Sequence, residues 1–144
     1  MKALFISTAG ALITIAALAS TRSSANQATI PNLVGTWSVS SQGATLVHGT
    51  GYSKRSHHAE QFTTLNAEAV IQKQEGRRFI GILKSARYTE KFAGAISVDG
   101  KSMAFVDEDG FLDGKIINNN QIEVTYRHIG DTESVAATGT YTRR

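Results

Sequence analysis

From Leu33 onward, apolar residues recur at every second position in short runs, and the runs are separated by residues that favour tight turns. Leu33, Gly35, Trp37 and Val39 fall on one side of an extended chain, with Thr36, Ser38 and Ser40 on the other. A period of two is that of a β-strand with one face toward a core. The alternation returns in Phe79, Gly81 and Leu83; in Phe92, Gly94, Ile96 and Val98; in Met103 and Phe105; in Ile122, Val124 and Tyr126; and in Val135, Ala137, Gly139 and Tyr141. Ile80 with Ile82, and Ile116 with Leu112, place apolar residues on the opposite face as well, so both sides are expected to need cover. Turn chemistry punctuates the runs at Ser41-Gln42-Gly43, Gln74-Glu75-Gly76, Asp99-Gly100, Asp109-Gly110, Asn118-Asn119-Asn120 and Gly130-Asp131.

These signals predict strands over 33–40, 43–50, 67–74, 77–85, 90–98, 102–107, 111–118, 121–129 and 134–142, with no Pro inside any of them. The fold class is all-β: a single antiparallel up-and-down barrel of about eight to nine strands, with a two-sheet sandwich as the competing closure. Gly81, Gly94, Gly114 and Gly139 inside strands fit the bends and close backbone approaches of a barrel. Residues 51–66 are ambiguous. Ala59, Phe62, Leu65 and Ala69 would share a helix face, whereas Glu60 to Gln72 would also make one long strand, and the segment is read as a loop able to hold a helical turn.

The first 25 residues have a different pattern: Lys2, then an apolar stretch from Ala3 to Ala19, then small and polar residues to Ala25. That is the layout of a secretory signal peptide, with cleavage after Ala19 or Ala25. The reading divides the chain into a signal peptide (1–25), a short N-terminal arm (26–32) and a barrel domain (33–144), exported to the periplasm or secreted. After cleavage it is not an integral membrane protein. The absence of Cys removes both a disulfide framework and a lipid-bearing thiol, so the core alone must hold the domain together.

Charge changes the picture less than its total implies. The full chain carries +3, but Lys2 and Arg22 leave with the signal peptide and no acid does, so 13 basic residues face 12 acidic ones. The nucleic-acid reading that a basic chain invites is therefore set aside. What remains is uneven: eight Lys or Arg against four Glu over 54–91, then three against eight Asp or Glu over 92–142. Arg77-Arg78 is the sharpest basic point.

Asn32-Leu33-Val34-Gly35-Thr36-Trp37 resembles the Gly-x-Trp first strand of calycins, the barrels that include lipocalins and avidins. Gly139-Thr140-Tyr141-Thr142-Arg143 is similar to a calycin closing strand ending in a basic residue. The resemblance implies that Trp37 sits at the closed end of the barrel and that Arg143 packs over its ring as a cation–π pair. With Trp37 the sole Trp, it does not imply biotin binding. Periplasmic calycin-like protease inhibitors insert an N-terminal segment into the enzyme, a role Asn26 to Asn32 would serve here, although those proteins carry a disulfide.

Candidate chemistry is sparse. His57, His58, Glu60 and His48 have metal-ligand side chains but share their loop with Lys54 and Arg55, so no metal site is assigned. Asp107-Glu108-Asp109-Gly110 reads as a hairpin turn, since it lacks the remainder of a calcium loop. Tyr126 and His128 continue the inward face of Ile122 and Val124; with Tyr141 they would put polar groups into an apolar barrel and orient a ligand. No nucleophile, base and orienting set is recognisable, so no catalytic residue and no cofactor are assigned. The functional expectation is a binding protein for a small, largely apolar molecule; the alternative is a protein-interaction module such as a protease inhibitor.

Overall fold

The computed structural model describes residues 29–48 and 57–144, with the side chains of His57 and His58 outside the description. The signal-peptide segment, the start of the arm and residues 49–56 lie outside the described residues. Eight strands follow one another: β1 (Gly35–His48), β2 (His57–Glu75), β3 (Arg78–Ser85), β4 (Thr89–Ile96), β5 (Ser102–Val106), β6 (Gly110–Asn118), β7 (Gln121–Ile129) and β8 (Glu133–Arg143). Each pairs antiparallel with the next, and β8 returns to β1, closing the sheet on itself. That closure decides between barrel and sandwich. No helix among the described residues is long and apolar enough to cross a membrane.

Two sequence expectations are corrected. The predicted strands 33–40 and 43–50 are one strand, β1, which runs straight through Ser41-Gln42-Gly43. Gly43 is there for space. A Cβ on it would lie 2.9 Å from the Ala137 Cβ and 3.3 Å from Thr63 Oγ1, so the neighbouring strands approach closely across its bare face. The described part of the predicted 51–66 loop is strand as well. Residues 57–66 open the 19-residue β2, in which Phe62 points out to solvent while Leu65 and Ala69 turn inward, so these residues share no face.

The interior is filled by alternate residues. Trp37, Val39, Ala69, Ile71, Phe79, Phe92, Ile96, Met103, Phe105, Leu112, Ile122, Val124 and Tyr141 are buried. Leu112 therefore belongs to the inward set, while Ile80 is half exposed and Val98 lies in the exposed β4–β5 turn. The outer face is not covered by a second layer.

Inward glycines make room for rings. Phe79 and Phe105 are the register partners of Gly94, and Phe92 is that of Gly81. A Cβ at Gly94 would come within 2.3 Å of the Phe79 ring and 2.5 Å of the Phe105 Cβ. The three Phe rings consequently pack on one another with centroids 5.6–6.4 Å apart, and Phe105 meets Tyr141 edge-on at 6.1 Å.

One end of the barrel is plugged. Residues 30–34 cross it before β1, and Leu33 and Trp37 are completely buried there beside Ile71 and Ile122. Trp37 Nε1 donates to the Leu33 carbonyl at 3.0 Å. Gln74 ties the crossing segment down: its Oε1 accepts from Leu33 N at 2.8 Å and its Nε2 donates to Pro31 O at 2.9 Å. Arg143 does the same from the other side. Its guanidinium carbon stands 4.3 Å over the Trp37 ring, and its N–H groups donate to the carbonyls of Asn32, Val34 and Asn119 at 2.7, 2.8 and 2.7 Å. Gly35 has φ +142°, and a Cβ there would meet Arg143 Nη1 at 2.8 Å. The Gly-x-Trp spacing thus places a bare backbone under the guanidinium and a ring beside it.

Candidate ligand-binding site

At the opposite end the described residues leave an opening. There the β3–β4, β5–β6 and β7–β8 connections surround a mouth leading into a cavity of about 890 Å³. The wall nearest the plug is apolar: Val39, Leu83, Phe92, Phe105, Leu112 and Val124. Toward the mouth the inward positions turn polar, with Thr45, Thr63, Ser85, Tyr88, Glu90, Asp107, Asp109, Tyr126, His128 and Glu133 on the wall. An apolar pocket of this size with a few converging polar groups is the usual form of a small-molecule site.

The three residues named from the sequence lie on this one cavity wall. Tyr126 and His128 leave β7 on the same face and stack, with rings 14° from parallel. The Tyr126 hydroxyl donates to Asp109 Oδ1 at 3.1 Å. His128 Nδ1 lies 3.0 Å from the Asp109 carbonyl oxygen and 3.4 Å from its carboxylate. A carbonyl only accepts, so Nδ1 carries the ring proton. Burial and the Asp107 and Asp109 carboxylates push the Tyr126 phenol far above its ordinary pKa, and burial does the same to Tyr141, which therefore stays protonated.

Carboxylates crowd the mouth. Glu90 is raised above the usual Glu range, first by burial and then by Asp107, Asp109 and Glu108, with His128 opposing. Asp107 Oδ1 also holds its own turn, accepting from Gly110 N at 2.6 Å. The Asp107–Asp109 segment is accordingly a hairpin turn whose carboxylates face a cavity.

Sequence reasoning missed Thr45, Tyr88, Glu90, Asp107 and Glu133. For three of them the signal was present: Glu90 lies two residues before Phe92, Asp107 two after Phe105, and Glu133 two before Val135. Extending each apolar alternation by one step gives the polar mouth.

Other candidates are used structurally. Arg77 donates to the Ser97 carbonyl, and Arg78 approaches Glu75 at 3.5 Å, so the Arg77-Arg78 pair braces strand ends near the plug. His48 Nε2 is 2.9 Å from Ser134 Oγ. Among the described residues no group of three or more His, Cys, Asp or Glu is arranged to hold a metal ion.

The chain aligns with several solved structures, two of them described as redesigned β-barrels. A redesigned β-barrel aligns with TM-score 0.48 and 13% identity over 78% of this chain and 91% of that one. EF1p2_mFAP2b, solved bound to DFHBI, aligns with TM-score 0.49 and 13% identity over 78% of this chain and 94% of that one. For the redesigned barrel mFAP0, also bound to DFHBI, the figures are 0.47, 13%, 77% and 98%. No protein-family model matches the chain, and no curated protein does.

Proposed function

We propose that the protein is an exported, calycin-like carrier or scavenger that takes a small, largely apolar molecule into the open end of its barrel. The observation that carries this reading is the cavity itself: about 890 Å³, floored by Phe92, Phe105, Leu112 and Val124, and bordered by hydroxyl and carboxylate groups. A barrel selected only for stability fills its interior, because each unfilled volume forfeits packing. Here the plugged half is filled and the open half is not. Tyr126, His128 and Tyr141 are assigned to orienting the ligand, and Trp37 with Arg143 to closing the far end.

The test is uptake of the neutral fluorophore N-phenyl-1-naphthylamine by the folded protein. Saturable uptake, lost in Ala137→Phe, where a ring enters the cavity wall, supports the reading. No saturable uptake by the parent protein overturns it. Native mass spectrometry of protein recovered from the periplasm or medium checks export and carried ligand together. Nothing in the barrel favours the protease-inhibitor alternative, since the carbonyls of Pro31 and Asn32 are already held by Gln74 and Arg143.

A further inference from the structure

We propose that the molecule taken into this cavity is a cation: an amine or quaternary ammonium on an apolar, ring-sized body. The inference rests on the ligand-binding reading above and narrows it to a chemical class. Two independent features carry it.

The first is the charge of the mouth. Among the described residues of the cavity wall, Glu90, Asp107, Asp109 and Glu133 are acidic, and Arg87 is the sole permanent cation. Glu108 stands just outside and acts on Glu90 as well. These groups come from three connected regions of the barrel: β4, the β5–β6 turn and the start of β8. No Lys or Arg pairs with Glu90, Asp107 or Asp109 among the described residues, whereas two outer-face acids, Asp113 and Glu68, pair with Arg127 and Arg144. Among the described residues the Asp109 carboxylate meets only His128 and the Tyr126 hydroxyl. Like charges gathered at a low-dielectric opening repel one another and focus an attractive field on a positive ligand.

The second is the Tyr141 hydroxyl. Tyr141 is 4% exposed and lines the cavity, and its hydroxyl has no hydrogen-bond partner among the described residues. Thr45, also 4% exposed on the same wall, is in the same condition. No fully buried side-chain N or O among the described residues lacks a partner, so these two hydroxyls are reachable from the cavity they line, and a ligand group that enters it can bond them. A protonated phenol presents lone pairs that an ammonium N–H can use. Phe92, Phe105 and the Tyr141 ring supply apolar surface for the body of the ligand, and aromatic faces favour a positive charge over a negative one. An anion would meet the carboxylates head-on, and a neutral molecule would leave them desolvated with nothing in return.

The experiment compares three ligands of one shape by titration calorimetry: 1-naphthylmethylamine, 1-naphthylmethanol and 1-naphthoate. The amine should bind at least about tenfold more tightly than the alcohol, and the acid more weakly than both. Added salt should weaken the amine alone. Glu90→Gln should lower amine affinity about tenfold and leave the alcohol within about twofold. Asp107→Asn, which keeps the oxygen that caps its turn, should act in the same direction. Alcohol binding as tight as amine binding, or an amine-to-alcohol ratio unchanged by both substitutions, overturns the cation. Failure of the amine to bind a protein that takes up N-phenyl-1-naphthylamine also overturns it and leaves the cavity reading standing. Failure of the neutral fluorophore and of all three naphthyl ligands removes both.

Discussion

Replacing Arg143 by Met keeps most of an apolar stem and removes the guanidinium. Three hydrogen bonds are lost, to the carbonyls of Asn32, Val34 and Asn119, together with the contact over Trp37. A net hydrogen bond contributes about 0.5–1.5 kcal/mol, and an exposed to partly buried cation–π contact about 0.5–1 kcal/mol. The released carbonyls lie at the barrel end, where water can reach them, so no full desolvation penalty is added. The expected loss is about 2–5.5 kcal/mol. Trp37 is the sole Trp and is fully buried, so its emission reports unfolding of this very region. In urea, with a slope of about 1.5–2 kcal/mol/M, the midpoint should fall by about 1–3.7 M. Arg143→Lys keeps a charge near the ring but has no planar fork for three carbonyls, and should recover only part of the loss. A Met variant whose midpoint moves by less than about 0.3 M, or a Lys variant fully as stable as the parent, would refute the account.

Gly94→Ala should destabilise by about 1–3 kcal/mol, because its Cβ would press on the Phe79 and Phe105 side chains; an unchanged melting temperature would show that those rings shift freely. Gln74→Ala removes the two bonds that hold Pro31 and Leu33, and should lose about 2 kcal/mol while speeding amide exchange at Leu33. Protection of that amide in the variant would mean that packing alone holds the crossing segment. Glu90→Gln should leave stability unchanged in acid and raise it above neutrality. The folded Glu90 has a raised pKa, so its contribution is complete below the ordinary Glu value and is lost as pH rises through the raised one. Equal melting-temperature gains near pH 3.5 and pH 8 would contradict this.

Strands β3 to β8 were legible because their inward residues near the plug are large and apolar. Phe79, Phe92, Phe105 and Ile122 each start or continue an unbroken alternation, and the strand bounds follow. The start of β2 was illegible for a physical reason. Its inward residues, Thr63 among them, face the open cavity rather than a core, so no hydrophobic period marks them. Gly43 misled because a glycine that makes a turn and one that admits a neighbouring strand look alike in sequence. The neighbour that distinguishes them, Ala137, lies far along the chain. Tyr126, His128 and Tyr141 were placed on the inward face by alternation alone. Glu90 and Asp107 continue the alternation of Phe92 and Phe105 by one step, but a carboxylate at a strand end reads as surface until closure turns it toward a cavity.

The seam between β1 and β8 governs when this fold can exist. Seven of the eight pairings join strands adjacent in sequence, as hairpins that can form locally. The eighth joins strands at opposite ends of the barrel sequence, with Trp37 opposite Arg143. Until it zips, β1 and β8 are both open edges able to recruit another chain, and the ring-closing step carries the largest loop entropy in the molecule. The clasp of Arg143 over Trp37 lies at the plugged end of this seam. Its contacts span the two strands that close last in sequence, so they exist only once the sheet is a ring with no free edge.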